Sequence, residues 1–357
     1  MRGIPIFDGH NDTLTELYAP EEGEGRSFFE RSDKGHLDLP RAKEGGLAGG
    51  IFAIYTPPPE GSPERDSHYG LTVTEGGYEL QPRSPLEYEY SKEFSLSVID
   101  FLYDLEEKAE GAIGVVDKYR DLEQNLRDGV LSIVLHLEGA EAIKEDISDL
   151  EACYSRGVRS LGITWSRPNA FGHGVPFRFP HSPDTGPGLT EAGSDLVREC
   201  NRLGVVIDLA HLNERGFWDA AELSDAPLVV SHAGVHSLCP STRNLTDSQI
   251  DAVGRSNGLI GIIFSPGMIR ADGQRDADSI PLTDLVRHFD YVVDRIGVDH
   301  VAFGSDFDGT RIPQELQDVT GLPRLVQALR DGGYDEDALE KIAYRNWFRV
   351  LRDTWSD

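Results

Sequence analysis

The sequence predicts a (β/α)8 barrel of the TIM type. Eight short, β-rich apolar runs recur along its 357 residues and alternate with helical stretches. Residues able to bind a metal stand at the C-terminal ends of several of those runs, the face on which such barrels carry their sites. No repeat or low-complexity segment divides the chain. Residues 1–357 are therefore expected to form one domain, with a long loop insertion after the second strand at about 57–92.

Ile4 to Phe7 is the first expected strand, and it ends at Asp8-Gly9-His10-Asn11-Asp12. Gly50 to Tyr55 is the second, reached through a polar excursion that ends in Leu37 to Gly46. Pro57-Pro58-Pro59 opens the insertion, whose Gly and Pro content suits a surface lid or a dimer contact. Glu87 to Glu110 has helical periodicity, with Phe94, Val98, Phe101, Leu102 and Leu105 on one face for core packing. Ala112 to Val116 is a ninth strand-like run, assigned to an insertion.

Val130 to Gly139, Val158 to Thr164, Gly204 to His211, Pro227 to His232, Gly258 to Phe264 and Val301 to Asp306 complete the expected strands. Helices are expected over Leu189–Leu203, Asn213–Leu223, Thr246–Ser256, Thr283–Ile296 and Asp335–Thr354. The third of these opens on Thr246-Asp247-Ser248-Gln249, a capping-box pattern.

Composition excludes several classes. Asp and Glu number 62 against 34 Lys and Arg, a formal charge of -28 that repels nucleic acid phosphates. The acidic residues are spread along the chain, and the basic ones are mostly arginine. That surface resembles those of proteins from organisms that hold molar salt in the cytoplasm, where the Debye length is only about 3 Å. No apolar run approaches the roughly 20 residues that cross a bilayer, and no signal peptide precedes the first strand, so a cytoplasmic protein without membrane contact is expected. The cysteines Cys153, Cys200 and Cys239 are scattered, with no thiolate metal motif, and read as ordinary buried thiols.

The chemistry-bearing residues are His10 and Asp12 after the first strand, Glu138 after the third, His211 after the fifth, His232 after the sixth and Asp306 after the eighth. Singly each has an ordinary explanation: a polar loop, a hydrogen-bonded structural histidine, or for Asp306 a helix N-cap. Jointly they converge on one face of one barrel, with nitrogen and oxygen donors that suit zinc.

Asp-Gly-His-Asn-Asp, His-Leu-Glu-Gly-Ala, Ile-Asp-Leu-Ala-His, Val-Ser-His, Arg-Asn and Gly-Ser-Asp-Phe-Asp-Gly together resemble the membrane (renal) dipeptidase family of the amidohydrolase superfamily. The resemblance runs over nearly the whole chain. It implies two zinc ions, one held by His10 and Asp12, the other by His211 and His232, with Glu138 bridging. It implies a metal-bridging hydroxide as nucleophile, Asp306 as the group that moves its proton, and Arg243, with its neighbour Asn244, on the carboxylate of a small dipeptide. It also implies a homodimer.

One position departs from the family pattern. Many members have Thr-His after the fourth strand, where this chain has Thr164-Trp165. Trp165 offers only an indole N–H to a substrate carbonyl. His173 in the next loop is the alternative candidate, or an ordinary loop residue. Trp165 keeps a second reading open, a hydrolase of another amide or ester such as an N-acyl amino acid or a lactone. A third reading is a barrel that binds metal or peptide without chemistry, against which Asp306 argues.

Overall fold

The structure is a computed structural model that describes residues 3–20, 25–66, 68–275 and 280–355. In chain order, β1 (Ile6–Asn11) leads into α1 (Thr13–Tyr18), and α2 (Leu39–Gly45) into β2 (Leu47–Tyr55). A hairpin, β3 (Leu71–Thr74) and β4 (Gly77–Leu80), precedes α3 (Tyr88–Lys108), β5 (Ile113–Val115) and α4 (Tyr119–Asp128). Next come β6 (Leu131–Glu138), α5 (Leu150–Ser155), β7 (Val158–Gly162), β8 (Arg178–Phe179), α6 (Glu191–Leu203), β9 (Val206–Asp208) and α7 (Glu214–Leu223). The remainder is β10 (Val229–Ala233), α8 (Asp247–Arg255), β11 (Leu259–Ile262), α9 (Pro266–Ile269), α10 (Leu282–Ile296), β12 (Val301–Phe303), α11 (Leu322–Asp331), α12 (Glu336–Glu340) and α13 (Asn346–Thr354).

The fold is a (β/α)8 barrel. Its parallel strands follow the order β1-β2-β6-β7-β9-β10-β11-β12. Closure runs through the end of β1 and the loop after β12. Asp306 N–H donates to the His10 carbonyl at 2.9 Å, and Asp12 N–H donates to the Phe307 carbonyl at 2.8 Å. Beneath them the buried Asp8 carboxylate accepts Ser305 N–H at 2.8 Å and Ser305 Oγ–H at 2.7 Å. The seam that closes the barrel therefore also fixes His10, Asp12 and Asp306 against one another.

Two apolar clusters hold the layers. The larger lies between strands and helices. The second joins residues of the barrel strands, among them Phe7, Ile51, Val134, Val229 and Leu259, to Trp347, Phe348, Val350 and Leu351 of α13. Trp347 donates its indole N–H to the Phe303 carbonyl at 2.9 Å. Gly9 makes room for that ring, since a Cβ there would fall 2.2 Å from Trp347 Cζ2.

Four expectations are corrected. The first strand continues through Asn11, so His10 is a strand residue rather than a loop residue. The run around Ile113 belongs to the barrel sheet, where it pairs in parallel with Leu131 to Ile133 at the start of β6. The insertion is not all loop. Its β3–β4 hairpin pairs with β8 as a separate antiparallel sheet, and α3 begins at Tyr88, inside the expected loop boundary. The last expected helix is broken by a π-helical turn over Lys341–Arg345.

Candidate metal centre and active site

The strand ends deliver their side chains to one buried cluster. Glu138 is the last residue of β6, and its Oε1 lies 3.0 Å from His211 Nε2, 3.5 Å from His10 Nε2 and 3.8 Å from His232 Nε2. Asp12 Oδ2 is 3.7 Å from His10 Nε2. Two ligand groups therefore share Glu138: His10 with Asp12, and His211 with His232. Asp306 joins His10 and His232 in a third, overlapping group.

The tautomer of His232 follows from a proton count. Asp208, the last residue of β9, accepts Ser231 N–H at 2.9 Å, Ala210 N–H at 3.1 Å and the Ser231 hydroxyl. That hydroxyl has one proton and gives it to the carboxylate. Ser231 Oγ, 2.8 Å from His232 Nδ1, can then only accept, so Nδ1 carries the ring proton. His232 Nε2 is left with a lone pair. Ser166 Oγ lies 2.8 Å from His211 Nδ1 and holds that ring in place.

His211 Nε2 and His232 Nε2 face each other at 3.0 Å. Two imidazole nitrogens that close, beside a carboxylate oxygen, suit a shared cation. Two further atoms fit the same demand: His10 Nε2 and Asp12 Oδ1 are buried without a hydrogen-bond partner. The carboxylates around His10 also favour positive charge on its ring. Burial works against charged His10, but Glu138 and Asp12 outweigh it and raise its pKa from 6.5 to about 10. Burial, with the Asp12 charge next, pushes the carboxyls of Glu138 and Asp306 well above the usual range. Burial holds His211 and His232 neutral, the state a metal ligand needs. The donor set therefore fits divalent metal.

Asp306 is held at φ 62°, a backbone conformation that few side chains other than Asn and Asp adopt, at the foot of the cavity. Gly309 is required beside it, because a Cβ there would lie 2.0 Å from Asp12 Oδ2 and 2.5 Å from Asp306 Oδ1. Asp308, also at positive φ, ties this loop down by accepting from Thr13 Oγ1 at 2.8 Å and Arg26 at 2.6 Å.

Arg243 reaches the site. Its guanidinium is buried, with one nitrogen 3.1 Å from His211 Nε2 and 3.4 Å from the His232 carbonyl, and another on the Ala210 carbonyl. Its Nε has no partner. Burial pulls its pKa down to about 10, and Asp306 and Glu138 work against that fall.

Trp165 forms a wall of the cavity, stacked on His211 with ring centroids 5.7 Å apart and packed against Tyr55 and Phe177. Asn244 departs from its expected role. Its amide donates to the Cys239 and Met268 carbonyls at 2.9 and 2.7 Å and accepts Gly234 N–H at 2.9 Å, so it pins two loops and does not line the cavity. His173 also stays outside the cavity, with Nδ1 3.3 Å from the Gly188 carbonyl.

The supporting residues Asp208, Ser231 and Ser166 were not singled out by sequence. Their one signal is a polar residue inside or just beyond a buried apolar strand, next to a ligand candidate.

Comparison with known proteins agrees with this geometry. The sequence profile of the membrane dipeptidase family, peptidase family M19, matches residues 1–356. A metallo-peptidase from Rhodobacter sphaeroides, solved with a phosphinate mimic of the dipeptide L-Ala-D-Ala, is 46% identical, with a TM-score of 0.92 over 99% of this chain and 100% of that one. A Klebsiella pneumoniae protein, described only by its place in the pqqA 5' region, is 51% identical over 66% of this chain and 86% of its own length. Dipeptidase tcpJ of Claviceps purpurea (strain 20.1) is 29% identical over 97% of this chain and 76% of its own length. Despite the family's name, no helix among the described residues is long and apolar enough to cross a membrane. With a family match over almost its whole length and a buried nitrogen–oxygen donor cluster at the barrel's C-terminal face, the chain belongs to the membrane dipeptidase family, peptidase family M19, and is a metallo-dipeptidase.

Proposed function

We propose that the protein hydrolyses the peptide bond of small dipeptides with two zinc ions, and that Glu138 serves both. The observation that supports this most directly is the pair of donor groups meeting at Glu138, His10 with Asp12 on one side and His211 with His232 on the other. When bound, such ions supply a Lewis acid for the scissile carbonyl and lower the pKa of coordinated water enough for attack at neutral pH.

The chain's own residues do the rest. Asp306, buried beside Asp12 where bound cations would favour its ionised form, takes the proton of the attacking water on its carboxylate and delivers it to the departing amine. Arg243 turns from His211 to the substrate's free carboxylate, which fixes the cut one residue from the C-terminus. Trp165, Phe177 and Tyr55 exclude water from one side and limit substrate size. The proposal includes a cytoplasmic homodimer of single-domain subunits, checked by light scattering.

The test is a panel of free dipeptides, including Gly-D-Ala, with carboxyl-amidated controls, run with added zinc and with chelator. Cleavage is expected for free dipeptides only, and chelator should abolish it. Cleavage of amidated peptides at equal rates would remove Arg243 from its role. Because Trp165 replaces a histidine of many relatives, N-acyl amino acids and lactones belong in the same panel. Turnover of those alone would favour that second reading.

A further inference from the structure

The cavity above the metal centre is lined by arginines besides Arg243. Arg65 and Arg83 of the insertion and Arg275 of the loop after α9 line it together with Arg243. The four arginines share that lining with six carboxylates, Asp12, Glu16, Glu64, Glu138, Asp306 and Asp308. Arg83 is the most committed of the arginines. It is 8% exposed, it donates to the Asp66 carbonyl at 2.8 Å, and its guanidinium packs over the Tyr69 ring at 5.4 Å. Its second terminal nitrogen is buried and has no hydrogen-bond partner.

No carboxylate that lines the cavity forms an ion pair with Arg83 among the described residues, and Glu16 has a partner of its own. Glu64 also lines the cavity, but both of its oxygens are engaged by Ser84, at 2.6 and 2.9 Å. Asp308 is held by Arg26. Asp12, Glu138 and Asp306 belong to the donor cluster. Among the described residues Arg65, Arg83 and Arg275 make no ion pair. A buried guanidinium nitrogen without a partner is costly, and a planar carboxylate from a ligand is the group that satisfies it best.

We infer that the Arg83 end of the cavity, with Arg65, binds the side-chain carboxylate of an aspartyl or glutamyl residue, so that dipeptides with one acidic side chain are the preferred substrates. This rests on the dipeptidase reading above and narrows it. Arg243 takes the terminal carboxylate, and Arg83 takes the side-chain one.

The test compares kcat/KM of the zinc-loaded protein on matched dipeptides: Ala-Ala and Ala-D-Ala against the same backbones with Asp, Glu, Asn or Gln at either position. The acidic member should exceed its amide isostere roughly ten- to a hundredfold, the worth of one charge-assisted hydrogen bond. In Arg83→Met and, separately, Arg65→Met, thermal unfolding checks the fold, and the acid-to-amide ratio should fall toward one with the loss carried in KM. A wild-type ratio near one at both positions overturns the inference. So does a ratio unchanged in both folded variants. Failure to cleave any free dipeptide would instead remove the dipeptidase reading, whereas cleavage of Ala-Ala without acidic preference removes only this one.

Discussion

Ser231 has one hydroxyl proton, and Asp208 takes it. That hydrogen bond sets the protonated nitrogen of His232 and aims the other at Glu138. In Ser231→Ala the imidazole loses the acceptor for Nδ1–H and the Asp208 carboxylate loses a buried donor. Loss of such supporting bonds lowers metal affinity by about 10- to 100-fold. Chelator-competition titration should show that drop for the variant at unchanged secondary structure; equal affinities would mean the ring is oriented by packing alone. The same pair marks the limit of sequence reading at this scale. His10, Glu138, His211, His232 and Asp306 were legible because they stand at strand ends, where side chains of distant segments converge. Asp208 and Ser231 were not, because neither has a role until its partner 23 residues away is beside it. Asn244 shows the converse. It neighbours Arg243 in sequence, yet its side chain turns to backbone carbonyls while Arg243 turns to the site.

Helix α10 braces the loop after β10, the strand that carries His232. Its buried His288 accepts Val235 N–H at 3.0 Å and donates from Nε2 to the Ile269 carbonyl at 2.9 Å. Burial holds its pKa at about 4, against 6.5 for a free imidazole. Below pH 6.5 the unfolded chain takes up a proton there that the folded chain refuses. The contribution is therefore complete above pH 6.5 and is lost as pH falls toward 4, on the order of 3 kcal/mol in all. His288→Gln should flatten the fall of unfolding free energy across that window; parallel pH profiles would refute the assignment. Against β1, α13 depends on Gly9. Gly9→Ala drives a methyl into Trp347 and should cost about 1–3 kcal/mol in denaturant unfolding. Unchanged stability would mean that α13 does not pack there. The elements read correctly from sequence were those with a clear apolar run or face, long ones such as α3, α6 and β6 and short ones such as β10 and β11 alike. Helix α2 passed as a polar excursion although Asp38 caps it, Pro40 starts it and Gly46 ends it, since so short a helix offers little periodic pattern. The β3–β4 hairpin gave no strand signal because it has almost no buried face; Val73 is 73% exposed.

At the scale of the whole molecule, charge sets two opposing terms. Arginine–carboxylate pairs stud the surface, as at Arg202 with Glu151 and Glu199, Arg295 with Asp247 and Asp251, and Arg345 with Asp337 and Glu340. Exposed pairs of this kind contribute about 0–1 kcal/mol each, and salt weakens them. Against them stands an excess of acidic over basic residues that leaves a net charge of -28, which repels itself across the whole surface. Pairing every basic residue would still leave those negative charges without partners. Screening therefore removes more repulsion than attraction, and the fold should gain from it. The melting temperature of the zinc-loaded protein is expected to rise steadily between about 0.1 and 1 M KCl, as the Debye length falls from about 10 to about 3 Å. A chelated sample should rise in parallel from a lower starting point, because ions held only by the folded cluster add their binding free energy to its stability. A flat or falling curve would show that the surface pairs outweigh the self-repulsion, and the acidic composition would then need a different explanation from life in molar salt.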